Sequence, residues 1–300
     1  MELLRGRPVA DRIDAQLRSL SEISGSPRLA VYLAGADESS LIYSRSKVRK
    51  GERIGARVVL REFAGDVAAR EVKASLMSDA SDPDVHGIMI ERPLPDGIDI
   101  QDLMALVPTI KDVEGLHPEN YGLLGMGRPR FIAPTPLGAL LLMLHYDILP
   151  QGKEIVVAGR SPNVGRPLAT LLSQKKPWGN STVTLVHSRT ANIASHTRRA
   201  DVILTAVGKA GFITGDMIKE GAVLVDLGIN PVKNGIVGDV DLDSVEGVAS
   251  AATPTPGGTG PVTVSSMFLN LYLAMVRQEE GQVVLTDGII DSIYGSTEGS

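Results

Sequence analysis

The feature that most constrains this chain is an alternation of short β-rich runs with helical patterns, with glycine or proline punctuating the turns between them. Leu29–Leu33 (LAVYL) is followed by the turn Gly35-Ala36-Asp37 and a helical pattern from Ser40 to about Ile54. Arg57–Glu62 leads into a helix near Val67–Met77, and a third strand, His86–Ile90, stops at Pro93-Leu94-Pro95. Strands in alternation with helices require crossover connections, so the sheet they build is parallel. The pattern restarts at Glu154–Ala158, with a glycine turn, a helix through Val164–Ser173 and further strands at Thr182–Val186, Val202–Ala206 and Val223–Asp226. Ahead of all this, Met1–Leu20 reads as an amphipathic helix, and Leu137–His145 and about Val262 to Arg277 read as two more helices.

Between the two series lies Lys111–Pro136, rich in glycine and proline and poor in periodicity, which marks the crossing between domains. The expected fold class is α/β, with two doubly wound domains and a cleft between them, the second of the Rossmann type. The division expected is residues 1–118 plus 264–300 for one domain and 119–263 for the other. A chain of 300 residues is long enough to bury two cores.

Charge narrows the partners. A formal net charge of -5 argues against broad binding of nucleic acid or anionic membranes, both of which need a basic face, so any anionic ligand must be met locally. The absence of cysteine removes thiolate metal sites and cysteine nucleophiles and fits a reducing compartment, with the cytoplasm as the expected location. Glu2, Asp11 and Asp14 interrupt the N-terminal segment, which therefore lacks a signal-peptide core. Apolar stretches such as Leu137–Leu144 fall short of the ~20 residues that span a bilayer, and no membrane segment is expected. The five histidines form no metal-ligand spacing, so no metal site is expected.

The turn Gly159-Arg160-Ser161-Pro162-Asn163-Val164-Gly165, between a strand and a helix, can feed backbone N–H groups to a phosphate, although a turn that merely needs glycine reads the same way. A site selective for NAD carries an acidic residue at the end of the second strand, to accept from the ribose 2′-hydroxyl. Here that strand ends His187-Ser188-Arg189, and Arg160 and Arg189 could both pair with a 2′-phosphate, so NADP is favoured. Tyr43 and Lys47 stand at i and i+4 on one helix face, able to bring a phenol and an amine to one substrate, although most such pairs are surface neighbours. Glu91 and Arg92, after the third strand, stand where open parallel sheets bind ligands. Lys111-Asp112-Val113-Glu114-Gly115 is a second charged loop, and either charged loop could equally be simple solvated surface. Pro254–Pro261 is a stiff loop with exposed backbone suited to close ligand approach, although a plain interdomain connector would look similar.

Taken in order, these segments resemble the methylenetetrahydrofolate dehydrogenase/methenyltetrahydrofolate cyclohydrolase family over about residues 1–278. Six motifs carry the likeness: Tyr43-x-x-x-Lys47, Pro93-Leu94-Pro95, Lys111-Asp112-Val113, Gly159-Arg160-Ser161 with Val164-Gly165-x-Pro167, Asp226-x-Gly228-Ile229-Asn230, and Pro256-Gly257-Gly258. The resemblance implies a folate cleft, NADP on the second domain and a homodimer acting on one-carbon derivatives of tetrahydrofolate. It implies Lys47 as catalytic acid or base, Tyr43 as the residue that positions the one-carbon centre, and Pro256, Gly257 and Gly258 as lining of the folate pocket. Gly159, Arg160, Ser161, Ser188 and Ile229 would contact the cofactor, with Val164, Gly165, His187 and Arg189 completing that site, and Glu114 would contact the pterin.

Two positions depart from the family pattern, which usually has Gln at the place of Glu91 and Asp at that of Glu114. Glu91 is counted with Lys47 and Tyr43 among the catalytic and substrate-binding candidates: its carboxylate beside Lys47 is expected to favour the ammonium and raise the lysine pKa, weakening hydrolysis relative to oxidation, unless Glu91 itself replaces the lysine as the base. Two rival readings share the same motifs: a dehydrogenase acting on another pterin carrier, and an NADP-binding scaffold that has lost turnover.

Overall fold

The computed structural model describes residues 1–35, 38–233 and 235–279, without the side chains of residues 38–40, 42 and 43. The expected turn at Ala36-Asp37, the side chain of Tyr43 and residues 280–300 lie outside that description. The chain divides into two compact units. One comprises Met1–Arg12, Leu124–Arg128 and Ala133–Ser266; the other comprises Ile13–Leu123, Pro129–Ile132 and Met267–Ser300.

The unit made largely of Ile13–Leu123 holds a sheet of β2 (Arg28–Ala34), β3 (Arg57–Phe63) and β4 (Gly87–Ile90) in the order β3-β2-β4, with every pairing parallel. Helix α2 (Glu38–Ile54) connects β2 to β3, and α3 (Ala69–Ser81) connects β3 to β4. Six of the seven residues of β2 are buried, as expected for a central parallel strand, which reads as an unbroken apolar run. Tyr32 of β2 gives its hydroxyl proton to Asp79 of α3 at 2.7 Å, and Arg61 of β3 grips the same carboxylate through Nε at 2.9 Å and a terminal nitrogen at 2.7 Å. The guanidinium offsets the cost of burying Asp79 and ties helix to sheet.

The other unit is built on a six-stranded sheet in the order β1-β11-β8-β7-β5-β6, again parallel throughout. Its strands are β1 (Glu2–Leu3), β5 (Glu154–Ala158), β6 (Thr182–Val186), β7 (Val202–Thr205), β8 (Val223–Asp226) and β11 (Ala251–Ala252). Val156, Ala158, Ile203 and Leu224 from its strands are buried together with Ile213, Val240 and Val245. An antiparallel hairpin, β9 (Asn230–Val232) and β10 (Gly235–Val237), stands apart from that sheet. Helix α7 (Gly165–Leu172) follows β5 across the glycine turn, and α9 (Leu242–Val245) follows β10.

Several expectations need correcting. The chain opens with a strand, because Glu2 and Leu3 pair with Ala251 and Ala252; helix α1 begins only at Gly6 and runs to Ser24. Residues 1–12 therefore belong with the Rossmann-type unit rather than with residues 13–123. The stretch Lys111–Pro136 contains helix α5 (Pro118–Gly125), and helix α6 (Pro134–His145) starts earlier than the expected Leu137. The final helix, α10 (Thr259–Gln278), is long and apolar enough to span a membrane by length and composition, contrary to the reading of the apolar stretches. Most of it is buried inside the protein, and that burial explains its composition.

Candidate active site

Crossovers leave β2 toward β3 on one side and return to β4 on the other, so the sheet order reverses between β2 and β4, and ligands of open α/β sheets bind at the carboxyl end of such a reversal. Lys47 and Glu91 meet there. Lys47, on α2, is 2% exposed, and its Nζ donates to Oε1 of Glu91, whose side chain is 18% exposed. Glu91 directly follows β4 and is held by its own N–H, which donates to the carbonyl of Tyr32 at 3.0 Å.

Glu114 completes the cluster, accepting at Oε2 from the N–H of Ile90 at 3.2 Å. The loop that carries it runs alongside β4: Ile88 donates to the carbonyl of Lys111 at 2.8 Å, and Asp112 bridges Ile88. Asp112 is fully buried and accepts at one oxygen from the N–H of His117 and from Nδ2 of Asn120, both at 2.8 Å. Asn270 of α10 secures the loop from behind by donating to the carbonyl of Val113 at 2.8 Å. Lys111 is drawn into structure, its Nζ donating to the carbonyls of Asp79 and Asp82 at 3.3 and 2.6 Å.

Burial sets the protonation of this centre. The Lys47 pKa is lowered, chiefly because removing the ammonium from water disfavours its charge; Glu91, and more weakly Glu114, pull it back up. Glu91 acts in the expected direction, raising the lysine pKa, but desolvation outweighs it. Glu114 is pushed up to about 8 by burial, with Asp112 and Glu91 adding to the shift and the N–H of Ile90 opposing it. That shift favours the neutral carboxyl in the free protein.

The second constellation lies in the Rossmann-type unit, at the reversal between β5 and β7. A pocket there is lined by Gly159 and Arg160 after β5, His187 and Ser188 after β6, and Ala206, Val207, Lys209 and Phe212 after β7. Gly159 has φ +125, and a Cβ on it would meet the carbonyl of Ala206 at 2.4 Å, so glycine is required for this approach. Gly165 lets α7 come close behind it, since a Cβ there would lie 1.9 Å from the Gly159 carbonyl. Ser161, Val164 and Gly165 are not among the lining residues. The Ser161 hydroxyl accepts from the N–H of Val164 at 3.2 Å and its carbonyl accepts from Arg166 at 3.2 Å, so these residues shape the turn and use part of its donor set internally. Arg189 is one position beyond the lining, its N–H donating to Nδ1 of His187 at 3.2 Å. Ile229 also falls outside the lining and is 60% exposed.

The donor set fits a phosphorylated dinucleotide: Arg160, Lys209 and Ser188 stand in the pocket, no carboxylate lines it, and Gly159 clears the strand end. Lys209, Phe212 and the loop from Ala206 were not singled out from sequence. The available signal was a strand running into Val207-Gly208, the same strand-to-glycine transition that drew attention to Gly159.

Pro256, Gly257 and Gly258 sit in a loop pinned at both ends to β8. The N–H of Asp226 donates to the Thr253 hydroxyl at 2.7 Å, and the Thr259 hydroxyl donates to the Asp226 carbonyl at 2.8 Å. Gly6 donates to the Gly257 carbonyl at 2.9 Å, and a Cβ on Gly6 would strike the carbonyl of Gly258 at 1.9 Å. This loop belongs to the same unit as the pocket, whereas Lys47, Glu91 and Glu114 belong to the other.

A parallel sheet with a glycine turn and basic side chains at its reversal defines a dinucleotide-binding α/β enzyme, and here one chain joins it to a buried lysine–carboxylate centre. Comparison with known proteins specifies the family. Residues 4–114 match the tetrahydrofolate dehydrogenase/cyclohydrolase catalytic domain, and residues 133–279 match the NAD(P)-binding domain of the same enzymes. The chain belongs to the tetrahydrofolate dehydrogenase/cyclohydrolase family. It is 41% identical over 275 residues to the bifunctional protein FolD of Oleidesulfovibrio alaskensis, covering 90% of this chain and 96% of that one. Among solved structures, the bifunctional FolD of Campylobacter jejuni superposes with a TM-score of 0.88 at 35% identity, covering 92% of this chain and 99% of that one. The Trypanosoma brucei enzyme, solved with NADP and an inhibitor, superposes with a TM-score of 0.87 at 30% identity, covering 93% and 98%.

Proposed function

We propose that this chain oxidises 5,10-methylenetetrahydrofolate with NADP and hydrolyses the methenyl product to 10-formyltetrahydrofolate, with Lys47 as the acid–base group of hydrolysis. The observation that carries the reading is the buried contact between Lys47 and Glu91 at the sheet reversal, within a chain of this family. NADP, when bound, supplies the hydride acceptor; Gly159, Arg160, His187 and Ser188 would hold it, with Arg160 and Ser188 toward the 2′-phosphate.

Oxidation asks little of the side chains, because the N5 lone pair of the folate assists loss of hydride and the protein mainly aligns the substrate. Glu114 would receive the donors of the aminopyrimidine, giving up its proton as the pterin binds, and Tyr43 would position the one-carbon centre. Hydrolysis is more demanding: water must lose a proton as it attacks C1, and the departing ring nitrogen must gain one. A lysine whose pKa is lowered by burial can serve both steps in turn. Glu91 draws the proton back toward Lys47 and so favours oxidation over hydrolysis. Pro256–Gly258 would line the folate pocket. We carry over from the resemblance a homodimer, which sedimentation of the purified protein tests, and from the cysteine-free composition a cytoplasmic location.

The experiment that tests the activity is one assay with two phases. Purified protein with NADP and 5,10-methylenetetrahydrofolate should produce the absorbance of the methenyl compound, which should then decay faster than it does without protein. A protein that binds NADP but yields no methenyl absorbance would be a scaffold.

A further inference from the structure

The loop that follows β7 lines the dinucleotide pocket through Ala206, Val207, Lys209 and Phe212; its start is tied within the pocket, where the N–H of Ala206 donates to the carbonyl of Ala158 at 2.7 Å, but the next three amides find their acceptor elsewhere. The fixing group lies behind it. Asp239, which follows β10, is fully buried, and its Oδ2 accepts from the N–H groups of Val207 at 2.6 Å and Gly208 at 3.1 Å. Its Oδ1 accepts from the N–H of Lys209 at 2.9 Å and from Nδ2 of Asn230 at 2.9 Å. Three successive backbone amides thus converge on one carboxylate, the concave arrangement by which backbone usually holds a bound anion.

Two glycines make room for this. Gly208 has φ +68, the left-handed turn that brings neighbouring amides to one side, and a Cβ on Gly228 would lie 2.2 Å from Cγ of Asp239. The backbone of Asp239 adds to the tie, its carbonyl accepting from Ile213 at 2.9 Å. A carboxylate removed from water and satisfied by four N–H donors strongly prefers this loop conformation, because any other would leave buried charge unpaired.

We propose that Asp239 is a positioning residue for the cofactor: an internal anion that holds the 207–209 amides inward and so sets the wall that Val207 and Lys209 present to NADP. This rests on reading the Gly159–Phe212 pocket as the NADP site. Asp239→Asn keeps the shape but turns an NH2 toward amides that need an acceptor. Calorimetric titration of NADP, without folate, should show affinity weakened tenfold or more, while tetrahydrofolate affinity stays within twofold of the parent. A purely structural carboxylate would lower the melting temperature without separating the two ligands. Should Asp239→Asn not fold, Gly208→Ala decides, since it retains the carboxylate while straining the left-handed residue; it should weaken NADP several-fold and leave tetrahydrofolate unaffected. NADP affinity within twofold of the parent in the folded variant overturns the proposal. Arg160→Ala, measured alongside, separates the two levels: if it alone weakens NADP, the role of Asp239 falls and the pocket stands, and if neither variant weakens NADP, both fall.

Discussion

Lys47 and Glu91 form an ion pair in which the lysine is almost wholly buried and the carboxylate is mostly so. Glu91 is one of the groups holding the lysine pKa up against desolvation. Replacing it with neutral glutamine removes that opposition, so in Glu91→Gln the lysine pKa should fall further and more of the free amine should be present near neutral pH. The expected outcome is a higher ratio of cyclohydrolase to dehydrogenase rate and a hydrolysis optimum displaced to lower pH, read from methenyl decay across a pH series. Loss of hydrolysis in this variant would instead make Glu91 the base.

Lys47→Met tests the amine itself. General acid–base groups contribute roughly 10²–10⁴-fold, and hydrolysis of the methenyl compound should fall by that order. NADP affinity, governed by the other unit, should be unchanged by calorimetry. A hydrolysis rate close to that of the parent would place the catalytic group elsewhere.

Arg160 is the cation of the glycine turn that lines the pocket, and no carboxylate there awaits a ribose 2′-hydroxyl. A planar guanidinium gains charge-assisted hydrogen bonds from a phosphate that the NAD ribose cannot supply. Arg160→Ala should therefore raise KM for NADP about tenfold, the equivalent of roughly 1.4 kcal/mol, with a much smaller change for NAD. Equal effects on both would assign the arginine to the pyrophosphate they share.

The alternation of strands and helices was legible because parallel strands buried on both faces leave apolar runs such as Arg28–Ala34. The short pieces were not. Glu2–Leu3 and Ala251–Ala252 are two-residue strands that exist only through pairing with partners remote in sequence. In the site, Lys47, Glu91 and Glu114 could be picked out as residues, and Glu91 does stand directly after β4. What could not be read was desolvation, which depends on the surrounding packing and outweighs the pull of Glu91 on the lysine. Asp239 was hidden for a related reason: in sequence it is one acid in Gly238-Asp239-Val240-Asp241, and only the fold shows which acid faces inward.

Glu114 allows the burial argument to be tested through stability. Its carboxyl rises from 4.5 to about 8 in the folded protein, whereas in the unfolded chain it ionises near the ordinary value. Between those two limits the folded state holds a proton that the unfolded state has released, so folding takes up a proton there. The contribution of Glu114 is fully present below 4.5 and declines as pH rises to about 8, with a slope of at most about 1.4 kcal/mol per pH unit. Glu114→Gln, neutral at every pH, should remove this decline. Urea unfolding of both proteins at intervals from pH 5 to pH 9 should give curves that converge at the acid end, after a constant offset, and diverge at the alkaline end with the variant the more stable. Binding should move oppositely, because the amide lacks the charge that would receive the aminopyrimidine: tetrahydrofolate affinity should fall in Glu114→Gln, most visibly above pH 8. Parallel stability curves across the whole range would show that Glu114 ionises normally and that burial does not control this site.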